Sequence, residues 1–268
     1  MTPPGAVDCH AHVMRRGIPM TGDRHSEPTR DIGAEEFLAV LDLHGVTSGV
    51  LTAPSFYGAD NALLLNALSH APEQLRGTVI LDPEQEPVLD DLERQGVRGV
   101  RLNWLRRTTL PDAGSVSYQR LFAAMRERGW HIELFLEGDR LHEVLPHLLA
   151  SGARVVLDHF GCPEPTMGVV SAGFFTVLAA VRDGNTWVKL SAPYRLYGAN
   201  PRPYVNALLE AGGPERLVWG SDWPWIGHEG LFNYQDCLEW LTHWVPDEAT
   251  RRTILVDTPA ELFGFARA

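Results

Sequence analysis

The sequence predicts an α/β protein: a single (β/α)8 barrel of the TIM type over residues 1–268, with its active site at the C-terminal ends of the strands. Three observations predict it. Eight short apolar or β-branched runs recur along the chain, most of them are separated by segments of helical period, and no linker interrupts the series. An open doubly wound sheet would show the same alternation. It lacks support here, because no Gly-rich dinucleotide fingerprint follows the first run and no GxxxxGK[ST] loop occurs.

The first run, "AVDCHAHV" (6–13), is apolar except for Asp8, His10 and His12. Side chains alternate across a strand, so these three are predicted to share one side, with Cys9, Ala11 and Val13 on the other. A helix follows in "GAEEFLAVLDLHG" (33–45). The second run, "SGVLTAP", leads through the turn-rich loop "PSFYGADN" (54–61) into "DNALLLNALSHA" (60–71), where Asp60 is placed to cap the helix. "LRGTVIL" is the third and "VRGVRLN" the fourth, the latter followed by the helix "SYQRLFAAMRERG" (117–129). "HIELFL" is the fifth, with "GDRLHEVLPHLLASG" (138–152) after it, and "RVVLDHF", "WVKLSA" and "LVWGSDW" complete the set. Gly45, Gly96, Gly129, Gly152 and Gly212 are predicted to end helices in the left-handed conformation.

Composition narrows the partners. The formal charge is −11 and the Lys and Arg residues are scattered, which predicts no nucleic-acid or anionic-membrane surface and points to a small molecule. Cys9, Cys162 and Cys237 are too few and too far apart for a disulfide framework. The N-terminus has neither a basic nor an apolar leader segment, and no stretch has the length of a membrane span, so a cytoplasmic location is expected. The many Trp and Phe residues suit either the outer core of a barrel or a homodimer interface.

Asp8, His10, His12, Arg101, Asn103, His159 and Asp222 fall in the C-terminal halves of their runs, with Glu137 and Arg195 just beyond theirs. In a barrel those ends share one face, so residues remote in sequence converge there. HxH is also metal-ligand spacing, and His159 and Asp222 are placed to complete a site with His10 and His12. Against that, the fifth run has no His at its end; His131 stands at its start. There is no GxSxG elbow, and "HEVLPH" is not HExxH. His25, His44, His70, His142, His147 and His243 fall in loops or helices and are expected at the surface.

Together, "VDCHAHV", "TAPSFYGADNALLLNAL", "GVRGVRLNWLRR", "VVLDHFG", "VKLSAPYR" and "VWGSDWPW" resemble the amidohydrolase superfamily, most closely its 2-pyrone-4,6-dicarboxylate lactonase-like branch. The resemblance implies a (β/α)8 barrel that hydrolyses, or in some members isomerises, a lactone. It further implies that no metal is required, although zinc or another divalent ion occurs in relatives. Arginines at the positions of Arg101, Arg107 and Arg195 would hold substrate carboxylates. Two departures stand out. Cys162 replaces an Arg common after "HFG", and Trp225 replaces a His common after "DWP"; as pocket residues they would favour a larger or aromatic ligand over a dicarboxylate.

On elementary chemistry, Asp222 is expected as the general base, its pKa raised by shielding from Trp223 and Trp225, with His10, His12 and His159 polarising the carbonyl. Arg101 and Arg107 suit an anionic substrate; Arg106 is expected in a surface ion pair. Ser55, Tyr57 and Asn103 are further candidates for substrate contact. Two other readings compete with a lactonase: a zinc-dependent hydrolase or non-oxidative decarboxylase, and a ligand-binding barrel without turnover.

Overall fold

Each of the eight apolar runs contains a parallel strand in the computed structural model, which describes residues 2–22, 24–86 and 88–266. The strands are β1 (Val7–Ala11), β2 (Ser48–Thr52), β3 (Leu75–Val79), β4 (Val97–Asn103), β5 (His131–Phe135), β6 (Arg154–Leu157), β7 (Thr186–Leu190) and β8 (Leu217–Trp219), hydrogen-bonded in chain order. Past the end of β8 the chain pairs with β1: the Asp222 N–H donates to His10 O and the His12 N–H to Trp223 O, both at 2.9 Å. The barrel closes there.

Between and after the strands run α1 (Ala34–Leu43), α2 (Ala62–His70), α3 (Leu89–Arg94), α4 (Val116–Arg128), α5 (Leu141–Ala150), α6 (Ala172–Arg182), α7 (Arg202–Gly212), α8 (Tyr234–Trp244), α9 (Glu248–Arg252) and α10 (Thr258–Phe263). Ser115 caps α4 and Ser171 caps α6, while Asn233 and Asp236 cap α8 reciprocally. Strands covered on both faces are apolar almost throughout, which is why they read as uninterrupted runs. The lower end of the barrel is closed by Val7, Cys9, Val50, Val156 and Val218 packing against Leu262, Phe263 and Phe265 at the C-terminus. Among the described residues no helix is long and apolar enough to cross a membrane.

Two local expectations are corrected. Gly212 lies inside α7, and it is Gly213 that takes the positive φ, +73°. More consequential is β1. Asp8 pairs with Gly49 but Ala11 with Leu51, so β1 carries one residue more than β2 over that span, a bulge that breaks the strict alternation. Asp8 therefore does not share a side with His10 and His12. Its carboxylate accepts from the Ser221 N–H (2.9 Å) and hydroxyl (2.5 Å) and from the Tyr234 hydroxyl of α8 (2.9 Å), stapling the seam between β1 and β8. Burial pushes Asp8 up to about 6 despite those donors.

Candidate active site

The strands end earlier than the apolar runs suggest. His12, His159 and Asp222 lie past the last residues of β1, β6 and β8, and His159 (φ 48°) and Asp222 (φ 59°) are left-handed non-glycine residues. Arg106, Phe160, Cys162, Ala192, Tyr197 and Trp225 share that conformation. All eight sit in loops after β4, β6, β7 and β8, so backbone strain is concentrated at one end of the barrel. Gly220 permits the close approach there: a Cβ on it would lie 2.6 Å from the His10 Cβ.

Beneath that end is a fully buried charged layer. Lys189 Nζ donates to Glu133 Oε2 (2.5 Å) and to His10 Nδ1 (2.8 Å), and lies 3.3 Å from Asp158 Oδ1. Arg101 donates to Asp158 Oδ2 (2.7 Å) and Ala53 O (2.8 Å), with its Nε 3.2 Å from Glu133 Oε1. Two cations thus face two carboxylates, the arrangement that makes buried charge tolerable. Burial works to raise the carboxyl of Asp158, but Lys189 and Arg101 outweigh it and hold the group well below the usual range.

Upon this layer stand the histidines and Asp222. Burial and then Lys189 push His10 down to about 4, and burial holds His159 well below its ordinary value, so both are neutral. His10 Nε2 is 3.2 Å from His12 Nε2, and Asp222 Oδ1 lies 3.4 and 3.3 Å from those two atoms. The other carboxylate oxygen, Oδ2, accepts from the Tyr194 hydroxyl and lies 3.3 Å from Arg195 Nη2. Burial works to raise Asp222, yet the polar groups around it, the Arg195 guanidinium among them, outweigh it and hold the acid well below the carboxylate range. That corrects the expectation of a raised pKa. Trp223 stacks on Phe37 and Trp225 packs on Phe232, while the charge of Asp222 is stabilised by polar neighbours distant in sequence.

Above these groups opens a cup of about 290 Å³, the size for a single ring with short substituents. His12, His159, Asp222, Arg101, Arg195, Ser55 and Asn103 line it, and His10 lies directly below. Ser55 Oγ and Arg195 Nε are buried in its wall without hydrogen-bond partners. Other expected residues face elsewhere. The Tyr57 hydroxyl is spent on the Arg15 backbone, donating to its oxygen (2.6 Å) and accepting from its N–H (2.7 Å). Cys162 turns its thiol back to Asp158 O (3.7 Å), and burial pushes that thiol far up. Trp225 donates its indole N–H to Ser221 O (3.1 Å). The pocket effects expected of Cys162 and Trp225 therefore have no geometric basis. Arg107 lies in a neighbouring surface hollow, and it is Arg106, expected in a surface ion pair, whose side chain lines the cup; its backbone N–H is held by Glu137 Oε1 at 2.8 Å.

Sequence reasoning missed several groups. His25, assigned to the surface, lines the cup with its ring edge-on to Phe135 and Nε2 3.1 Å from Asn103 Oδ1, and burial pushes it down to about 4. Nothing local in its loop marks it. Glu133, Asp158 and Lys189 did carry a signal: charges inside the apolar runs "HIELFL", "RVVLDHF" and "WVKLSA" must be paired when those strands are buried. Tyr194, two residues after the end of the "WVKLSA" run, carried none.

The cluster can be tested for a metal. A tetrahedral ion with bonds of about 2.0–2.1 Å spaces its ligand atoms about 3.4 Å apart. His10 Nε2, His12 Nε2 and Asp222 Oδ1 are 3.2–3.4 Å apart, so the spacing fits. Protonation does not. An ammonium only donates, so Lys189 Nζ, 2.8 Å from His10 Nδ1, calls for an acceptor there, and the tautomer that supplies one carries the ring proton on Nε2, where it blocks coordination. In His12 it is Nδ1 that is engaged, facing Thr52 O at 2.7 Å, and Nε2 is turned to Asp222 Oδ1 at 3.3 Å. A second grouping, His10 with Asp158 and His159, also depends on His10. As arranged, the residues do not fit a resident ion.

Comparison with known proteins agrees with the fold. The amidohydrolase family profile matches residues 7–265. A 4-sulfomuconolactone hydrolase of Rhizobium radiobacter is 31% identical over 98% of this chain and 91% of its own length. A 2-pyrone-4,6-dicarboxylate hydrolase of Comamonas testosteroni is 28% identical over 97% and 90%. The crystal structure of a probable 2-pyrone-4,6-dicarboxylic acid hydrolase from Acinetobacter baumannii, with citric acid bound, superposes with a TM-score of 0.89 at 33% identity, covering 97% of this chain and 100% of that one. The polar end of the barrel and a match spanning nearly every described residue lead to one conclusion: the chain belongs to the amidohydrolase family.

Proposed function

We infer that this protein is a hydrolase that opens a lactone bearing an anionic group, using Asp222 as general base and no resident metal. The observation that carries the reading is the asymmetry of Asp222. One oxygen is saturated by Tyr194 and Arg195, and the other faces the histidines at the floor of the cup. A carboxylate held ionised in this way is ready to take a proton from water at neutral pH.

Water in the cup gives its proton to Asp222 Oδ1 as its oxygen bonds to the lactone carbonyl carbon. The carbonyl oxygen becomes anionic and is met by N–H donors, with His10 Nε2 below and Arg195 Nε in the wall. When the ring C–O bond breaks, the proton on Asp222 passes to the departing ring oxygen, leaving an open hydroxy acid. The relatives named for sulfomuconolactone and pyrone dicarboxylate support a cyclic ester with a negative substituent. Arg106 supports it as well, being a cup-lining guanidinium with no ion-pair partner among the described residues.

Proton release from a panel of sulfonated, carboxylated and neutral lactones tests the proposal. Asp222→Asn should lower kcat by about 10²–10⁴ while leaving KM within a few fold. A variant that kept full activity would overturn the assignment.

A further inference from the structure

Lys189 is fully buried at the centre of the barrel and does not line the cup. Burying an ammonium is costly unless each N–H finds an acceptor. Its three polar neighbours are Glu133 Oε2, Asp158 Oδ1 and His10 Nδ1, at 2.5, 3.3 and 2.8 Å. Two carboxylates alone would have been served by Arg101, which already touches both. The third contact, to His10, is the one that reaches the proposed chemistry.

Without the ammonium, His10 Nδ1 would face Asp158 Oδ1 at 3.3 Å and Glu133 Oε1 at 3.9 Å, both buried and lacking a hydrogen-bond donor. The stable ring would then carry its proton on Nδ1. Its Nε2 would be bare, beside the His12 Nε2 and the Asp222 carboxylate, three ligand atoms 3.2–3.4 Å apart. That cluster has no donor for an oxyanion and has the spacing of a divalent-ion site.

We propose that Lys189 is a positioning residue that fixes the proton of His10 on Nε2, which makes His10 a hydrogen-bond donor to the reacting carbonyl and keeps the His10, His12 and Asp222 cluster from taking up a metal. The donor role rests on the hydrolytic reading above; the tautomer does not, and it can be measured in the resting protein.

The first test is long-range ¹H–¹⁵N correlation on histidine-labelled protein, with the His10 ring assigned by its loss in His10→Gln. The proposal expects a proton-bearing Nε2 and an unprotonated Nδ1 in the wild type; a protonated Nδ1 overturns it, whatever the enzyme turns over. The second test compares wild type with Lys189→Met by titration with zinc alone. The variant should show the opposite tautomer and bind one equivalent of zinc at least tenfold more tightly than wild type, with kcat for the lactone about 10²–10³ lower and KM within about threefold. Equal zinc affinity, or an unchanged His10 tautomer in the variant, overturns the proposal. If Lys189→Met does not fold, the wild-type spectrum alone decides.

Discussion

Removing the hydroxyl of Tyr194 isolates the control that the loop after β7 exerts on Asp222. That hydroxyl donates to Asp222 Oδ2, and Arg195 Nη2 at 3.3 Å is the other cation or donor on the same oxygen. Burial alone would raise Asp222, so each donor to its ionised form lowers the pKa. A hydrogen bond to a charged group contributes about 1.5–3 kcal/mol. At about 1.4 kcal/mol per pH unit, Tyr194→Phe should raise the pKa of Asp222 by about 1–2 units. The sign follows from the role: a general base works only when ionised, activity falls as pH drops through its pKa, and weakening the ionised form moves that fall to higher pH. The assay is kcat/KM against pH, from 2 to 8, for wild type and variant on one lactone. The acid limb should shift upward by about 1–2 units, with the neutral plateau changed far less than by Asp222→Asn. An acid limb that stays in place, or moves down, refutes the role given to Asp222.

Other consequences are separable. Arg106→Ala should raise KM two- to fivefold for an anionic lactone, the scale of an exposed charge contact of up to about 1 kcal/mol, and leave kcat and neutral lactones unaffected; equal effects on charged and neutral substrates would contradict this. Raising salt should weaken the wild-type preference in the same direction. Gly99→Ala places a methyl 2.2 Å from the His131 ring, which is wedged against Thr78 and Phe263. Overpacking there should cost about 1–3 kcal/mol, and a melting temperature equal to wild type would show that the barrel floor yields.

Much of the fold is local information. Each strand is covered on both faces, so its apolar run is visible without knowing its neighbours, and Gly45, Gly96, Gly129 and Gly152 mark helix ends through their own backbone freedom. His12, His159 and Asp222 were legible for the same reason: polar groups where apolar runs stop, at ends the barrel brings together.

Where alternation was extended across β1 it failed at Asp8, because a bulge is a property of the register between two strands and not of either one. Which of two adjacent arginines faces the cup depends on the left-handed backbone at Arg106, held by Glu137 from the loop after β5. The amino-acid order by itself determined the eight-fold alternation, the histidine pair and the acid of the last strand. The tertiary structure alone decided the ionisation of Asp222 and the contact of Lys189 with His10. Electrostatic and hydrogen-bond energies sum over whatever lies within a few ångströms, and Tyr194, Arg195 and Lys189 arrive there from 27 to 179 residues away.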